Sequence, residues 1–355
     1  MNRFYITLSI CCLFSLGGTA QTKNVDIDNV WFNFAFRTTP IEPQNPIRFA
    51  YFVNMNVSSV AKQNLQMDAL RDAVRIEGQT RTAYADSALI TLTLSIGDIL
   101  IRSSNVVERR EESKDKSGKV TVYNYYHTEI IYTFESSYKI EIRDKAVRNI
   151  PIHSRSREIV YKTREYRTRK EAADYWNNNR EVHLSTFYSN HTTETVDNMT
   201  AYLSERFGFP IHTGLPKLTL KTMDEKKHDE NTNFRTEVNS LKETLEAATP
   251  NTPPDAAMKS IFTGYFKNIL TKYTDPKRKA DIRLRYAAYY NLCMIYLCFD
   301  EPEKVGEYAD KLIANDYNKY EGEKMNDLAK ELKAQFDRSG IRTRHFDPET
   351  FFSNR

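Results

Sequence analysis

Apolar and polar residues alternate along much of the first 165 positions, with the two-residue period that is typical of β-strands. The most apolar stretch beyond the N-terminus runs from Ala88 to Ile101, and between Ile90 and Ile96 its polar positions hold only threonine and serine. We expect a strand buried on one face and, because those polar residues are small, on the other face as well. The chain then enters a charged segment, turns at residues 116–118 and returns as a second long strand from Val120 to Ile142. This hairpin is the predicted centre of a β-rich domain.

Shorter alternating stretches predict further strands on either side of the hairpin. Residues 30–37 and 49–57 lie close enough in the chain to form a hairpin or neighbouring strands, and Ser58 or Ser59 caps a helix that runs to about Ile76. Residues 150–169 alternate apolar side chains with arginine and lysine, which is typical of an edge strand with one solvated face.

The pattern becomes helical from Lys170 and stays so to Gly208, with one last strand predicted over 215–223. Five further helices follow, separated by prolines or short polar segments. We therefore predict an α+β protein: a mainly antiparallel sheet domain with packed helices over 21–223, then a linker over 224–232. An all-α domain of helical hairpins follows over 233–342, with a C-terminal tail over 343–355 that is loose unless its three phenylalanines anchor it.

The first twenty residues predict export from the cytoplasm. Arg3 precedes an apolar core from Phe4 to Leu16, and the small residues Gly18, Thr19 and Ala20 stand where a signal peptidase cuts, before Gln21. We expect a periplasmic or extracellular protein that is soluble after cleavage and has no membrane span in the mature chain. A lipid anchor fits less well, because Cys11 and Cys12 lie inside the apolar core.

Two cysteines remain after cleavage, Cys293 and Cys298, and both fall on one predicted helix. Five residues of helix place their Cα atoms about 8 Å apart, too far for a disulfide. An exported protein without disulfides fits a bacterial periplasm better than an animal extracellular space. Asp86-Ser87-Ala88 resembles the O-glycosylation motif of Bacteroidota envelope proteins.

Composition and motifs give no support for catalysis or for nucleic-acid binding. The formal charge of +4 is small for 355 residues, and the seven histidines are dispersed. The sequence has no zinc-protease motif, paired-cysteine motif, phosphate loop or serine-hydrolase elbow. His183 and His191 lie eight positions apart on a predicted helix, which is unsuited to direct ligation of one metal ion. We therefore predict a protein that is not an enzyme, with no cofactor and no metal.

Residues 286–319 resemble one tetratricopeptide repeat, a helical hairpin of about 34 residues. The positions that carry the resemblance are Tyr289, Leu292, Cys293 and Tyr296 in the first helix and Val305, Ala309 and Tyr317 after it. Such repeats bind proteins or peptides in a groove, which is what the resemblance implies here. Ala288, Asn291 and Ile295 share a stripe on the first helix, so they are the predicted partner-binding residues. A plain packing hairpin is the alternative.

The leading functional hypothesis is a non-enzymatic exported envelope protein that acts as a protein-interaction or scaffold module for an envelope protein partner. The alternative is a periplasmic small-molecule or glycan-binding protein that uses a cleft between domains, with tyrosines or Trp176 as stacking groups. The charged hairpin tip, residues 108–118, is either simply solvated or a docking arm for a partner.

Overall fold

The computed structural model describes residues 25–145, 147–213 and 218–353, so the predicted signal segment lies outside the described residues. Its strands are β1 Ile27–Phe32, β2 Phe36–Arg37, β3 Ala50–Val57, β4 Thr80–Arg81, β5 Ile90–Ile96, β6 Leu100–Lys114, β7 Val120–Thr133, β8 Ser136–Ile142, β9 Arg148–His153, β10 Glu158–Lys162, β11 Ile211–His212 and β12 Leu218–Met223. Its α-helices are α1 Ser59–Asn64, α2 Met67–Ala73, α3 Arg169–Phe207, α4 Asn231–Glu246, α5 Ala256–Lys272, α6 Lys279–Cys298, α7 Pro302–Ala314, α8 Lys319–Ser339 and α9 Pro348–Ser353.

The fold class is α+β, as predicted, but the chain divides into compact units at other places than the sequence suggested. The helical unit contains residues 25–34, 218–248 and 254–332, and the sheet unit contains 35–213, 249–253 and 333–353. The reason is the pairing of β1 with β12, which takes the N-terminal strand away from the sheet domain in which we had placed it. The division expected at 224–232 is absent, and Asn231, inside that span, is a buried first residue of α4.

The sheet unit contains two larger sheets and the short pair of β2 with β11, and the apolar stretch 88–101 contributes to both larger sheets. A five-stranded sheet has the order β4-β3-β5-β8-β9, with β3 and β5 parallel, and a three-stranded sheet has the order β10-β7-β6. The predicted single strand is therefore interrupted between β5 and β6, where Gly97 and Asp98 lie. The predicted long hairpin is formed by β6 and β7, but its return strand ends at Thr133 and the chain continues as β8 in the other sheet. The predicted edge segment 150–169 likewise contributes to two strands, β9 and β10, which are edge strands of different sheets. The predicted neighbours β1 and β3 are in different sheets, because β3 pairs with β4 and β5.

Helix α3 packs along these sheets and begins where the sequence predicts. The Thr168 hydroxyl accepts a bond from the Glu171 amide, and the Glu171 carboxylate accepts one from the Thr168 amide, a reciprocal cap. Gly208 follows its last residue, Phe207. The buried face of α3 includes Trp176, and a single apolar core joins it to both sheets.

The helices that the sequence predicts after the polar segment are present, and the helical unit contains α4 to α7 and α8 as far as Leu332. Helices α6 and α7 pack against each other, and the residues expected to join them, Leu292, Tyr296, Val305 and Leu312, are all buried. Cys293 and Cys298 are buried thiols with no bond between them, and burial raises the pKa of Cys293. The likeness to a tetratricopeptide repeat stays a prediction.

The C-terminal residues are fixed within the sheet unit by aromatic packing and by one buried arginine. Phe346 and Ile341 form a small core with Phe209. The Arg37 guanidinium donates to the Phe346 carbonyl at 3.1 Å and to the Phe209 carbonyl at 3.0 Å. The phenylalanines therefore anchor the tail.

No helix in the described ranges is long and apolar enough to cross a membrane.

Candidate functional site

The residues predicted to line a repeat groove do not line a surface. Ala288, Asn291 and Ile295 are each 0% exposed in α6. The prediction assumed that this stripe of the first helix is exposed, as the groove of a tetratricopeptide repeat would require. The structure corrects this, because both polar atoms of the Asn291 side chain are used inside the helical unit.

The Asn291 amide bonds to the backbone of β12 as a neighbouring strand would. Its Oδ1 accepts from the Lys221 amide at 2.8 Å, and its Nδ2 donates to the Lys221 carbonyl at 2.8 Å. The Lys221 ammonium donates to Asn29 Oδ1 and to Glu321 Oε1. The same ammonium lies over the faces of the Tyr286 and Tyr290 rings. Burial raises the pKa of Tyr290 to about 12. These polar groups stabilise the interior and leave none of the three predicted side chains accessible to a partner.

Trp176, the predicted stacking group for a glycan, is also buried. It is 4% exposed and stacks on the His183 ring at 5.6 Å. Its indole face is therefore covered, so Trp176 is not available to stack on a glycan.

Residues 108–124 of the β6–β7 hairpin form the longest exposed run among the described residues of the sheet unit, and we call residues 106–128 the arm. Its turn is built by Asp115, whose Oδ1 accepts bonds from the Ser117 hydroxyl and from the Ser117 and Lys119 amides. The bond from the Ser117 hydroxyl makes the largest contribution to lowering the pKa of Asp115. Gly118 has a φ of +84°, which glycine adopts without a steric penalty. The predicted turn at 116–118 is thus confirmed.

The β6 strand of the arm carries charged side chains that pair with one another. Arg109 forms two bonds to the Glu165 carboxylate, at 2.6 and 2.9 Å, and one to Glu111 at 2.9 Å. Arg110 lies 3.2 Å from Glu112. The pKa of Arg109 is raised and that of Glu165 lowered by their shared bonds. Paired charges along a strand oppose addition of another strand to its edge.

The β7 strand of the arm is different, because the run VTVYNYY from Val120 to Tyr126 contains no charge. Val122 is 42% exposed, although it is a β-branched residue in a strand. Within the described residues, β10 pairs with β7 only from Glu129 to Thr133, so the distal half of this edge has no strand beside it.

The direction of the backbone groups on this edge follows from one residue pair. The Tyr126 amide donates to the Tyr166 carbonyl at 2.9 Å, and the Tyr126 carbonyl accepts from the Tyr166 amide at 2.8 Å. Both groups of Tyr126 therefore face away from β6. Since hydrogen-bonding direction alternates along an antiparallel strand, Val120, Val122 and Asn124 also direct their N–H and C=O groups away from β6. We call this row of backbone groups the outer edge.

In the sheet unit, side chains able to hold a metal ion meet in a single group among the described residues. They are His153 at the end of β9 and His191 and Glu194 of α3. Burial lowers the pKa of His191, and the neighbouring His153 adds to the effect. The three residues border a surface cleft that Arg157 and Glu158 also line.

A second histidine of α3 predicts how the stability of the sheet unit depends on pH. His183 is buried among Trp176, Tyr161 and Phe187, and burial lowers its pKa below the ordinary 6.5. Because the unfolded chain then binds the proton more readily, the stabilisation is complete above pH 6.5 and is lost as pH falls through the lowered pKa. We expect the urea midpoint, measured with a chelator present, to fall between pH 7.5 and pH 5, and to fall less in His183→Phe. An equal fall in both proteins would contradict this role for His183.

The sequence contained part of the signal for each of these sites. His191 and Glu194 are three positions apart, a spacing that places both on one helix face, whereas His153 joins them only through packing. The contrast between a charged and an uncharged strand is visible in the sequence, but the direction of the outer edge depends on the distant Tyr166.

No protein-family model matches the chain, and no curated protein matches it either. Several solved structures show a weak likeness, among them two bacterial lipoproteins. Rare lipoprotein B from Shewanella oneidensis is 15% identical, with a TM-score of 0.22, over 42% of this chain and 95% of that one. A minor lipoprotein from Acinetobacter baumannii is 13% identical, with a TM-score of 0.21, over 45% of this chain and 97% of that one.

Proposed function

We propose that the chain is a non-enzymatic, exported protein of the bacterial cell envelope that binds a partner protein through the outer edge of the arm. The observation that carries the proposal is the row of outward backbone groups at Val120, Val122 and Asn124, which no described strand covers. The charged start and apolar core of residues 1–20 support export. The occupant is an extended, uncharged segment of another protein that adds one strand to the sheet.

Two features of the arm support this kind of occupant. The segment that contains Tyr166 already bonds to the same edge at Tyr126, so an added strand would continue a pairing that has begun. Exposed Val120 and Val122 offer β-branched side chains for cross-strand pairing, and the run from Val120 to Tyr126 contains no charged residue. By contrast, the neighbouring β6 edge presents the paired charges of Arg109, Arg110 and their glutamates.

The experiment places a photo-crosslinking benzoylphenylalanine at exposed position 124 of the mature protein and exposes it to envelope extract of the native host. We expect a crosslink to one protein, at a segment whose sequence is uncharged and has alternating apolar residues. Val122→Pro should abolish the crosslink, because proline removes an N–H that faces the partner while the bonds between β7 and β6 remain. The matched control, Val122→Thr, keeps the N–H and the strand preference and should retain the crosslink.

Two results would overturn the proposal. A crosslink that is equally strong in Val122→Pro would show that the outer edge does not form the contact. A crosslink only to a second copy of the chain, together with a dimer in light scattering that Val122→Pro dissociates, would identify self-association instead of binding to another protein.

A further inference from the structure

We propose that His153, His191 and Glu194 form a zinc site in the sheet unit, a role separate from the outer edge of the arm. One ligand atom from each residue lies within 4.8 Å of the other two. His153 Nε2 is 3.3 Å from Glu194 Oε2, and His191 Nδ1 is 3.7 Å from the same oxygen. Tetrahedral zinc with bonds of about 2.0–2.1 Å places its ligand atoms about 3.3 Å apart. Small side-chain movements therefore bring the three atoms to bonding distance.

Hydrogen bonds on the side of His153 that is remote from Glu194 determine which of its two ring nitrogens carries the proton in the neutral ring. The Thr195 hydroxyl donates to the His191 carbonyl at 2.7 Å, so its proton is not shared with Ser136. The 2.8 Å contact between the Ser136 and Thr195 hydroxyls then requires the Ser136 proton. Ser136 Oγ must accept from His153 Nδ1, which lies 2.8 Å away. His153 consequently carries a proton on Nδ1, and in the neutral ring this leaves the lone pair on Nε2, the nitrogen that lies 3.3 Å from Glu194 Oε2.

His191 is oriented in the same way by a different hydroxyl. Its Nε2 lies 2.8 Å from the Tyr132 hydroxyl, and its ring stacks on Phe134 at 5.3 Å. Its Nδ1 is buried and has no hydrogen-bond partner within the described residues. A buried ring nitrogen without a partner is costly, whereas coordination of a metal ion would satisfy it. Outer hydroxyls that hold both imidazoles in place are typical of histidine metal sites.

An ion pair between protonated His153 and Glu194 is the simpler explanation of the short contact between them. It leaves the buried Nδ1 of His191 without a hydrogen bond, however, since Glu194 Oε2 is 3.7 Å away, whereas zinc accounts for both observations. Two imidazoles and a carboxylate favour a transition metal such as zinc over calcium or magnesium, which prefer oxygen ligands.

The surroundings allow zinc to enter and to bind a further ligand. The Glu194 side chain is 57% exposed, so the ion can reach the cluster from solvent. The adjoining cleft, about 310 Å³ in volume, is lined by Ser154, Arg157 and Ile159 among others. Three protein ligands leave a fourth position for water or for a ligand in this cleft.

The test is a competition titration of the chelator-treated full mature chain with Zn²⁺ against a chromophoric chelator, together with the visible absorption of the Co²⁺ form. We expect one tight site per chain and the absorption of a tetrahedral cobalt centre. Glu194→Gln changes an exposed side chain and should fold normally, yet weaken binding by about 100-fold and alter the cobalt spectrum. Tyr132→Phe should weaken binding about 10-fold, because only the support of His191 is lost.

The control variant is His228→Ala, in the helical unit, which should bind zinc like the wild type. Zinc affinity that is unchanged in both Glu194→Gln and His191→Ala would overturn the site and leave adventitious surface binding only. The absence of any stoichiometric binding to the folded wild-type chain would overturn it as well.

Discussion

Asn291→Ala should destabilise the helical unit by about 2–4 kcal/mol, because two buried backbone groups lose their partner at once. The Lys221 amide and carbonyl, each 2.8 Å from the Asn291 side chain, would be left without a bond. Urea unfolding followed by circular dichroism measures the change in the free energy of unfolding.

Asn268→Ala is the matched control, since Asn268 is an exposed amide on α5 of the same unit. Its free energy of unfolding should stay within about 0.5 kcal/mol of the wild type. A small effect of Asn291→Ala, equal to that of the control, would contradict the structural role and restore the exposed-groove interpretation.

Arg37→Met should loosen the C-terminal residues of the sheet unit and lower its stability by about 2–4 kcal/mol. Methionine replaces the volume of the arginine stem but leaves the carbonyls of Phe209 and Phe346 without their donor. Limited proteolysis should then cut within residues 341–353 much faster than in the wild type, and mass spectrometry would locate the cut.

The control for this variant is Arg48→Met, because Arg48 also reaches the C-terminal segment but bonds to the Glu349 carbonyl in an exposed position. We expect little change in its cleavage rate. Equal protection of the tail in wild type and Arg37→Met would show that the phenylalanine packing alone anchors it.

Local features of the fold were predictable from the sequence because their causes are local. Ser58 caps α1 by accepting a bond from the Ala61 amide, and α3 ends just before Gly208, both as expected. The periodicity of apolar residues likewise located α4 to α8. Strand partners were not predictable, because an alternating pattern shows that a segment forms a strand but does not show which other strand it pairs with. The pairing of β1 with β12, almost two hundred residues away, is the clearest case.

The site residues were harder to predict for a related reason. Asn291 was placed on an exposed groove because of the resemblance to a tetratricopeptide repeat, whereas it is buried and its amide bonds to the two backbone groups of Lys221. The histidines appeared dispersed in the sequence, yet packing of β9 on α3 brings His153 and His191 to a ring distance of 5.1 Å. Pattern alone cannot show which distant groups meet.

Amide hydrogen exchange along residues 120–125, followed by NMR, tests most directly the claim that the arm has an open outer edge for a partner strand. In the purified protein the amides of Val120, Val122 and Asn124 should exchange rapidly, whereas those of Thr121, Tyr123 and Tyr125, which face β6, should be protected. Addition of the crosslinked partner segment as a peptide should protect the first set. Protection of both sets in the protein alone, or rapid exchange of the first set with the peptide bound, would contradict the account.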